Sequence, residues 1–345
     1  MRIAAVNYRA PSRTVTNDDV IELLDRSNPE LSRIKKRGYL VAVRQLLRAC
    51  AANTRHWRDS ERGERASDLI LGAMDDSLAE AGMDATDIDL VIYCGVGKGF
   101  VEPANAYFFA KAKGMARANC FDVTDACMSW VRALQMAQLL LQAGEARTVM
   151  VINGECHYGI HDTWKIRDFR SLEHTFPMYT IGEAASATIV EASDSPWRFD
   201  YISKPELADL CTIPMDSFEE YSPASDRIGL NGINRFVSFG RELFEHGVQL
   251  TTEVMQRAIR DFDSKKWYFP HAPSKTVYEK AFAQMQAPHD KLYLEVFPKF
   301  GNIVSASIPV GLCNAKNEGL LRRGDPIALV PASAGMVASC VQLTF

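Results

Sequence analysis

The chain lacks any apolar run approaching the length of a membrane span, which excludes an integral helical membrane protein. Its opening apolar stretch, MRIAAVNYRA, is interrupted by Asn7 and Arg9 too soon for a secretory signal. The cytoplasm is therefore the expected compartment. No CxxC pair occurs; eight cysteines lie singly between residues 50 and 340 and read as reduced thiols rather than a disulfide frame. There is no basic excess either. With 39 Lys and Arg against 43 Asp and Glu, the net charge of −4 offers no reason to expect nucleic acid or a membrane surface as partner. GVGKGF at 95–100 lacks the Ser or Thr and the glycine spacing of a phosphate loop, which discounts nucleoside triphosphates. No HExxH pattern is found. His157 and His161 stand four apart but have no evident third ligand, so packing is preferred to a metal site.

What is present is 345 residues of ordinary globular composition, 47% hydrophobic and 24% charged, enough for two structural units. Strand and helix signals alternate, as in an α/β fold. MRIAAVNY, DIDLVIYCG and RTVMVINGE read as strands; TNDDVIELLDR, ERASDLILGAMDDSLAEAG, EPANAYFFAKAKG and WVRALQMAQLLLQAGEA read as helices. A composition shift at DSPWRF places a boundary near residue 195, giving halves 1–195 and 196–345. The second half repeats the grammar, with a long helix leading into the strand KWYFPH. The duplication rests on element order, without sequence identity. Residues 30–66, crowded with Arg and Lys, are the least readable segment.

DVTDACMSW at 122–130 raises the chemical question. A cysteine ahead of an apolar helix is either packing or a nucleophile whose thiolate is favoured by the helix dipole and free N–H groups. Asp122 and Asp125 read as helix-start residues beside it. A nucleophile needs a partner base and oxyanion donors from elsewhere in the chain. His271 in FPHAPSK and Asn302 in GNIVSASIP are each weak alone: one is a strand-end histidine, the other a Gly-Asn turn.

Taken in order, FDVTDAC with Cys127, INGE with Glu155, YTIGEAASATIV, FPHAPSK, GNIVSASIP and GDPIALVPASAGM resemble the thiolase superfamily, in its β-ketoacyl-ACP synthase III-like (KAS III-like) branch. The resemblance implies a thiolase-like α/β fold of two stacked, pseudo-duplicated βαβαβ halves in five layers, α-β-α-β-α. It assigns a catalytic triad to Cys127, His271 and Asn302. It implies acyl-CoA or acyl-ACP thioesters as substrates with no further cofactor, and a homodimer, or a heterodimer with a related ketosynthase. Cys127 would accept an acyl group. His271 and Asn302 would hold the second thioester's carbonyl, and the N–H of Cys127 with that of Ala334 or Gly335 would serve the other oxyanion.

The match has departures. The histidine is followed by Ala272, Pro273 and Ser274 instead of Gln-Ala-Asn, and the glycine-rich loop reads Gly182, Glu183, Ala184, Ala185, Ser186. Asn302 is kept; alcohol-acylating relatives tend to carry aspartate there. Glu102, in GKGFVEPANAY, has a plain reading as a helix-dipole carboxylate. In the family branches that join acyl chains head to head or make 2-pyrones, a Glu-Pro pair in this loop crosses the dimer interface. There it acts as base in the partner's site, which makes Glu102 a candidate for removing an α-proton. The cluster Arg33, Lys35, Lys36, Arg37, Arg44, Arg48, Arg55 and Arg58, with Trp57, reads as a solvated face or as a seat for the phosphates and adenine of the carrier. The expected activity is Claisen condensation of acyl-Cys127 with a second acyl or β-ketoacyl thioester, in specialised metabolism. Decarboxylative initiation with malonyl-ACP and acyl transfer to an alcohol or amine are the alternatives, and a non-catalytic scaffold is a fourth.

Overall fold

The structure is a computed structural model that describes residues 1–157 and 159–345. In chain order it runs β1 (Arg2–Arg9), α1 (Asn17–Arg26), α2 (Arg33–Ala49), α3 (Ala66–Ala81), β2 (Leu90–Cys94), α4 (Asn105–Ala112), β3 (Asn119–Val123), α5 (Ser129–Gln142), β4 (Thr148–Glu155) and β5 (Ala184–Glu191). After these come β6 (Arg198–Ser203), α6 (Gly240–Ala258), β7 (Trp267–His271), α7 (Lys275–Met285), α8 (Ser307–Asn317), β8 (Pro326–Ser333) and β9 (Val337–Thr344). A short hairpin pairs Arg13–Thr16 with Thr54–Trp57.

Local chemistry accounts for the boundaries. Thr16 caps α1: its hydroxyl accepts from Asp19 N–H, and the Asp19 carboxylate accepts from Thr16 N–H, a reciprocal capping box. α3 ends at Gly82, whose φ of 64° is the left-handed conformation that suits glycine. The basic segment 30–66 contains α2, an amphipathic helix. Tyr39, Val43 and Leu47, one helical turn apart, turn inward, while Arg33, Lys35, Arg37 and Arg48 face water.

β1-β5-β4-β2-β3 form one mixed sheet and β7-β8-β9-β6 the other. β2 runs parallel to both β3 and β4, and β7 runs parallel to β8 with His271 opposite Pro331. The strands are apolar on both faces, hence their continuous hydrophobic runs. In β4, Val149 and Val151 point one way and Met150 and Ile152 the other; in β8, Ile327 and Leu329 oppose Ala328 and Val330. Three cores result. Leu69, Met74 and Ala106 of α3 and α4 cover the outside of the first sheet. Trp130 and Leu134 of α5, with Ile308 and Leu312 of α8, fill the space between the sheets. Val254 of α6 with Tyr278 and Phe282 of α7 cover the outside of the second. This is the five-layer α-β-α-β-α arrangement. Each buried Leu, Ile, Val, Met or Phe among them contributes about 1.5–3 kcal/mol.

The two central helices enter alike. Ala126 (φ 44°), a short 3-10 turn over Ala126–Met128 and Ser129 lead into α5; Val304 (φ 49°), a 3-10 turn over Val304–Ala306 and Ser307 lead into α8. Two non-glycine residues in left-handed geometry at matching places give the duplication a structural signature. Cys127 in one elbow corresponds to Ser305 in the other.

Candidate active site

Cys127, His271 and Asn302 share the wall of one cavity of about 960 Å³. The rest of the lining is mostly apolar and aromatic, including Trp57, Trp164, Phe169, Phe176, Phe236 and Phe244. The cavity lies near the top of the roughly 300–1,000 Å³ range of small-molecule sites.

Cys127 sits in the 3-10 turn just ahead of α5. Burial pushes its thiol well above the ordinary range; Cys211 and Glu155 add to this, and a hydrogen bond with Ser333 opposes it. Burial thus opposes the thiolate-favouring helix end anticipated from sequence. The elbow around it is tightly held: Met128 N–H donates to Asp125 O (2.8 Å) and to Ser333 Oγ (3.2 Å), and Ser129 Oγ donates to Ala126 O (2.7 Å). Asp125 pairs with Arg132 at 2.8 Å.

His271 ends β7, and burial lowers its pKa to about 4, with Glu155 opposing. It is neutral at neutral pH. Its Nδ1 lies 3.0 Å from Ser307 Oγ; a hydroxyl donating there leaves the ring proton on Nε2, as a donor. Asn302 is fixed through its backbone: its N–H donates to Thr180 O (2.8 Å), and its carbonyl accepts from Gly182 N–H (3.1 Å). Val304 N–H donates to Asn302 Oδ1 (3.0 Å), which orients the amide and leaves Nδ2 as a donor. The chain presses close here. A Cβ on Gly301 (φ 69°) would lie 2.2 Å from Thr180 O, and one on Gly182 would lie 1.9 Å from Phe300 O. Together these residues offer a thiol and two side-chain N–H donors, the elements of an acyl-transfer and enolate-stabilising site.

Models of 3-oxoacyl-ACP synthase III match residues 121–203, and models of its C-terminal part match residues 255–345. The chain belongs to this family: it is a KAS III-like condensing enzyme of the thiolase superfamily. The β-ketoacyl-ACP synthase III of Clostridium beijerinckii is 25% identical over 99% of this chain and 98% of its own length. That of Bradyrhizobium diazoefficiens is 28% identical over 79% of this chain and 82% of its own. Among solved structures, the 3-oxoacyl-ACP synthase III of Aquifex aeolicus superposes with a TM-score of 0.81 at 20% identity, covering 100% of this chain and 99% of that one. OleA of Xanthomonas campestris, a Cys-to-Ser variant with bound lauric acid and lauroyl-CoA, superposes with a TM-score of 0.82 at 20% identity over 99% and 98%.

In this KAS III-like enzyme, several residues singled out from sequence sit elsewhere than expected. Arg55 is fully buried, and both terminal guanidinium nitrogens donate to Asn17 Oδ1 (2.9 and 3.0 Å), so it cannot meet a carrier at the surface. Trp57 is buried too. Its indole N–H donates to Ile181 O at 2.9 Å, and its ring lines the cavity instead of standing outside for an adenine. Arg58 bonds the buried Glu183, a structural pairing. Ala334 lines the cavity and Gly335 is absent from the lining. Asp122 does serve a helix start, but that of α4, where its carboxylate accepts from Asn105 N–H (2.8 Å) and Ala106 N–H (3.1 Å).

That last contact bears on Glu102. The carboxylate serving the α4 N-terminus comes from Asp122, whereas Glu102 lies three residues before the helix, exposed, in a cis peptide bond with Pro103. The helix-dipole reading of Glu102 therefore loses its basis. Around it stand exposed apolar side chains: Phe100 (47%), Val101 (80%), Tyr107 (52%) and Phe108 (40%).

Glu155 has no role in the sequence reading beyond a place in the motif order. It is fully buried, and its carboxylate accepts from Val96 N–H, Gly97 N–H, Ser305 and His157 (2.7 Å), contacts that hold its pKa down against burial. With Glu155 on His157 and the Asn234 carbonyl on His161, the two histidines are engaged in hydrogen bonds. Among the described residues no group of three or more potential ligands is placed to hold a metal, no helix is long and apolar enough to cross a membrane, and all eight cysteines are free.

Proposed function

We propose that Cys127 takes an acyl chain from a CoA or ACP thioester and that this chain is joined by Claisen condensation to a second acyl or β-ketoacyl thioester. In the first step the Cys127 sulfur attacks the carbonyl, the C–S bond to the carrier breaks, and the thiol's proton ends on the departing carrier thiol. In the second, the enolate of the incoming thioester, its oxygen held by His271 Nε2–H and Asn302 Nδ2–H, attacks the acyl-Cys127 carbonyl. A carbon–carbon bond forms and the cysteine sulfur leaves.

The observation that carries this reading is the size and apolarity of the cavity shared by Cys127, His271 and Asn302. Acetyl and malonyl groups need little of it, whereas a long acyl chain would fill it. The α-proton goes to Glu102 of a second copy of the chain in a homodimer; the apolar side chains beside Glu102 favour such burial against a partner. The exposed cations Arg33, Lys35, Arg37 and Arg48 of α2, the helix that also contributes Leu46 to the cavity lining, favour an anionic carrier at the mouth. The names of the curated relatives favour a second reading, condensation with an ACP-borne extender. Glu102→Ala separates the two. Lost condensation with intact acylation of Cys127, read by intact-protein mass spectrometry, supports the first. Unchanged turnover with malonyl-ACP overturns it.

A further inference from the structure

His157 and His161, four residues apart and linked by His161 N–H to His157 O (3.4 Å), both line the catalytic cavity, with ring centroids 6.0 Å apart. Their hydrogen bonds engage opposite ring nitrogens. The Glu155 carboxylate is an acceptor already taking N–H and O–H donors, so His157 Nε2 must donate to it across 2.7 Å. The other ring nitrogen of His157, Nδ1, is buried with no hydrogen-bond partner among the described residues. His161 Nδ1 meets the Asn234 carbonyl at 2.9 Å and must likewise donate, leaving the lone pair on Nε2. Burial lowers the pKa of His161, which favours its neutral form. An unpartnered polar atom buried in an apolar wall costs free energy unless something satisfies it.

We infer that His157 and His161 form a polar site for a hydroxyl group on the acyl chain, so that this enzyme selects hydroxylated acyl substrates over plain ones. The inference rests on the reading that Cys127 carries an acyl chain in this cavity. It converts two histidines with the spacing of metal ligands into a specificity device. A hydroxyl bound there donates its proton to one imidazole nitrogen, and the apolar remainder of the chain packs against the surrounding wall. Pantetheine offers amide N–H donors as well, so the test must separate chain from carrier.

The test is calorimetric binding to the Cys127→Ala enzyme of dodecanoic acid, its 2-, 3- and 12-hydroxy derivatives, and dodecanoyl-CoA. At least one hydroxylated acid is expected to bind roughly tenfold tighter than the plain acid. In Cys127→Ala/His161→Phe that ratio is expected to fall to about one. His157→Phe should do the same but strips the buried Glu155 of a partner; thermal melting checks that it folds, and His161→Phe stands independently of it. The inference is overturned if no hydroxylated acid is preferred, or if the preference survives His161→Phe. It is also overturned if His161→Phe weakens dodecanoyl-CoA as much as the hydroxylated acid, since the histidines would then serve the carrier. Failure of the underlying reading looks different: wild-type enzyme with no acyl adduct on Cys127 from any dodecanoyl thioester.

Discussion

His271 and Asn302 are buried at strand and loop ends, each oriented by a side-chain or backbone partner, whereas Glu102 stands exposed in a loop with apolar neighbours turned to solvent. The first region is finished within one chain. Its donors are aimed before substrate arrives, so little reorganisation remains for the reaction. The second region has residues suited to chemistry but no enclosure, and in water a carboxylate is a weak base toward carbon acids. The difference teaches that the proposed acyl-accepting and enolate-binding residues are brought together within one chain, while the proposed base would need a second surface to enclose it.

Substitutions can break this contrast, beginning with the largest effect. His271→Ala and Asn302→Ala each remove one preorganised donor and should lower condensation by about 10²–10³-fold while Cys127 still acylates; single-turnover product formation after loading the acyl enzyme measures this. Val101→Asp, on the exposed loop, should leave the melting temperature almost unchanged yet weaken self-association, read by sedimentation, and lower turnover in step. Loss of turnover without a change in association would separate the loop from any partner. Gly301→Ala acts on the finished region instead. Its Cβ would meet the Thr180 carbonyl in a left-handed backbone, so a loss of order 2–4 kcal/mol is expected by chemical denaturation.

The smallest effect sharpens the comparison through pH. The folded pKa of His271, about 4, lies below the ordinary 6.5, so in that window the unfolded chain binds a proton the folded chain refuses. The stability is full above about pH 6.5 and declines as pH falls toward 4, with a slope of at most about 1.4 kcal/mol per pH unit. His271→Phe should flatten that part of the wild-type profile in melts between about pH 7 and 4.5. An unchanged slope would mean the ring is not buried neutral.

Sequence motifs made Cys127, His271 and Asn302 legible because each sits in a short run whose order along the chain is itself distinctive. Strands were legible because both faces are buried, giving apolar runs bounded by polar turns. The basic cluster was misleading at Arg55 and Trp57. Two residues apart on one strand, they share a face, and the burial of Trp57 takes Arg55 inward with it. Nothing local distinguishes that arginine from its exposed neighbours on α2. The roles of Glu155 and the histidine pair were out of reach for a different reason. Ser305 lies 150 residues from Glu155 and Asn234 lies 73 from His161, so only the fold brings these partners together.

The paired elbows carry one more consequence. A backbone residue held in left-handed geometry beside a nucleophile invites the view that strain is invested in reactivity, at roughly 1–3 kcal/mol per site. Val304 adopts the same geometry as Ala126, yet the residue that follows it is a serine hydrogen-bonded to a buried carboxylate. The unusual conformation is thus inherited with the half-molecule, used or not. What sets Cys127 apart is its side chain and the open cavity in front of it, so a search for reactive sites by backbone strain alone would return the Val304 elbow as readily as the Ala126 one.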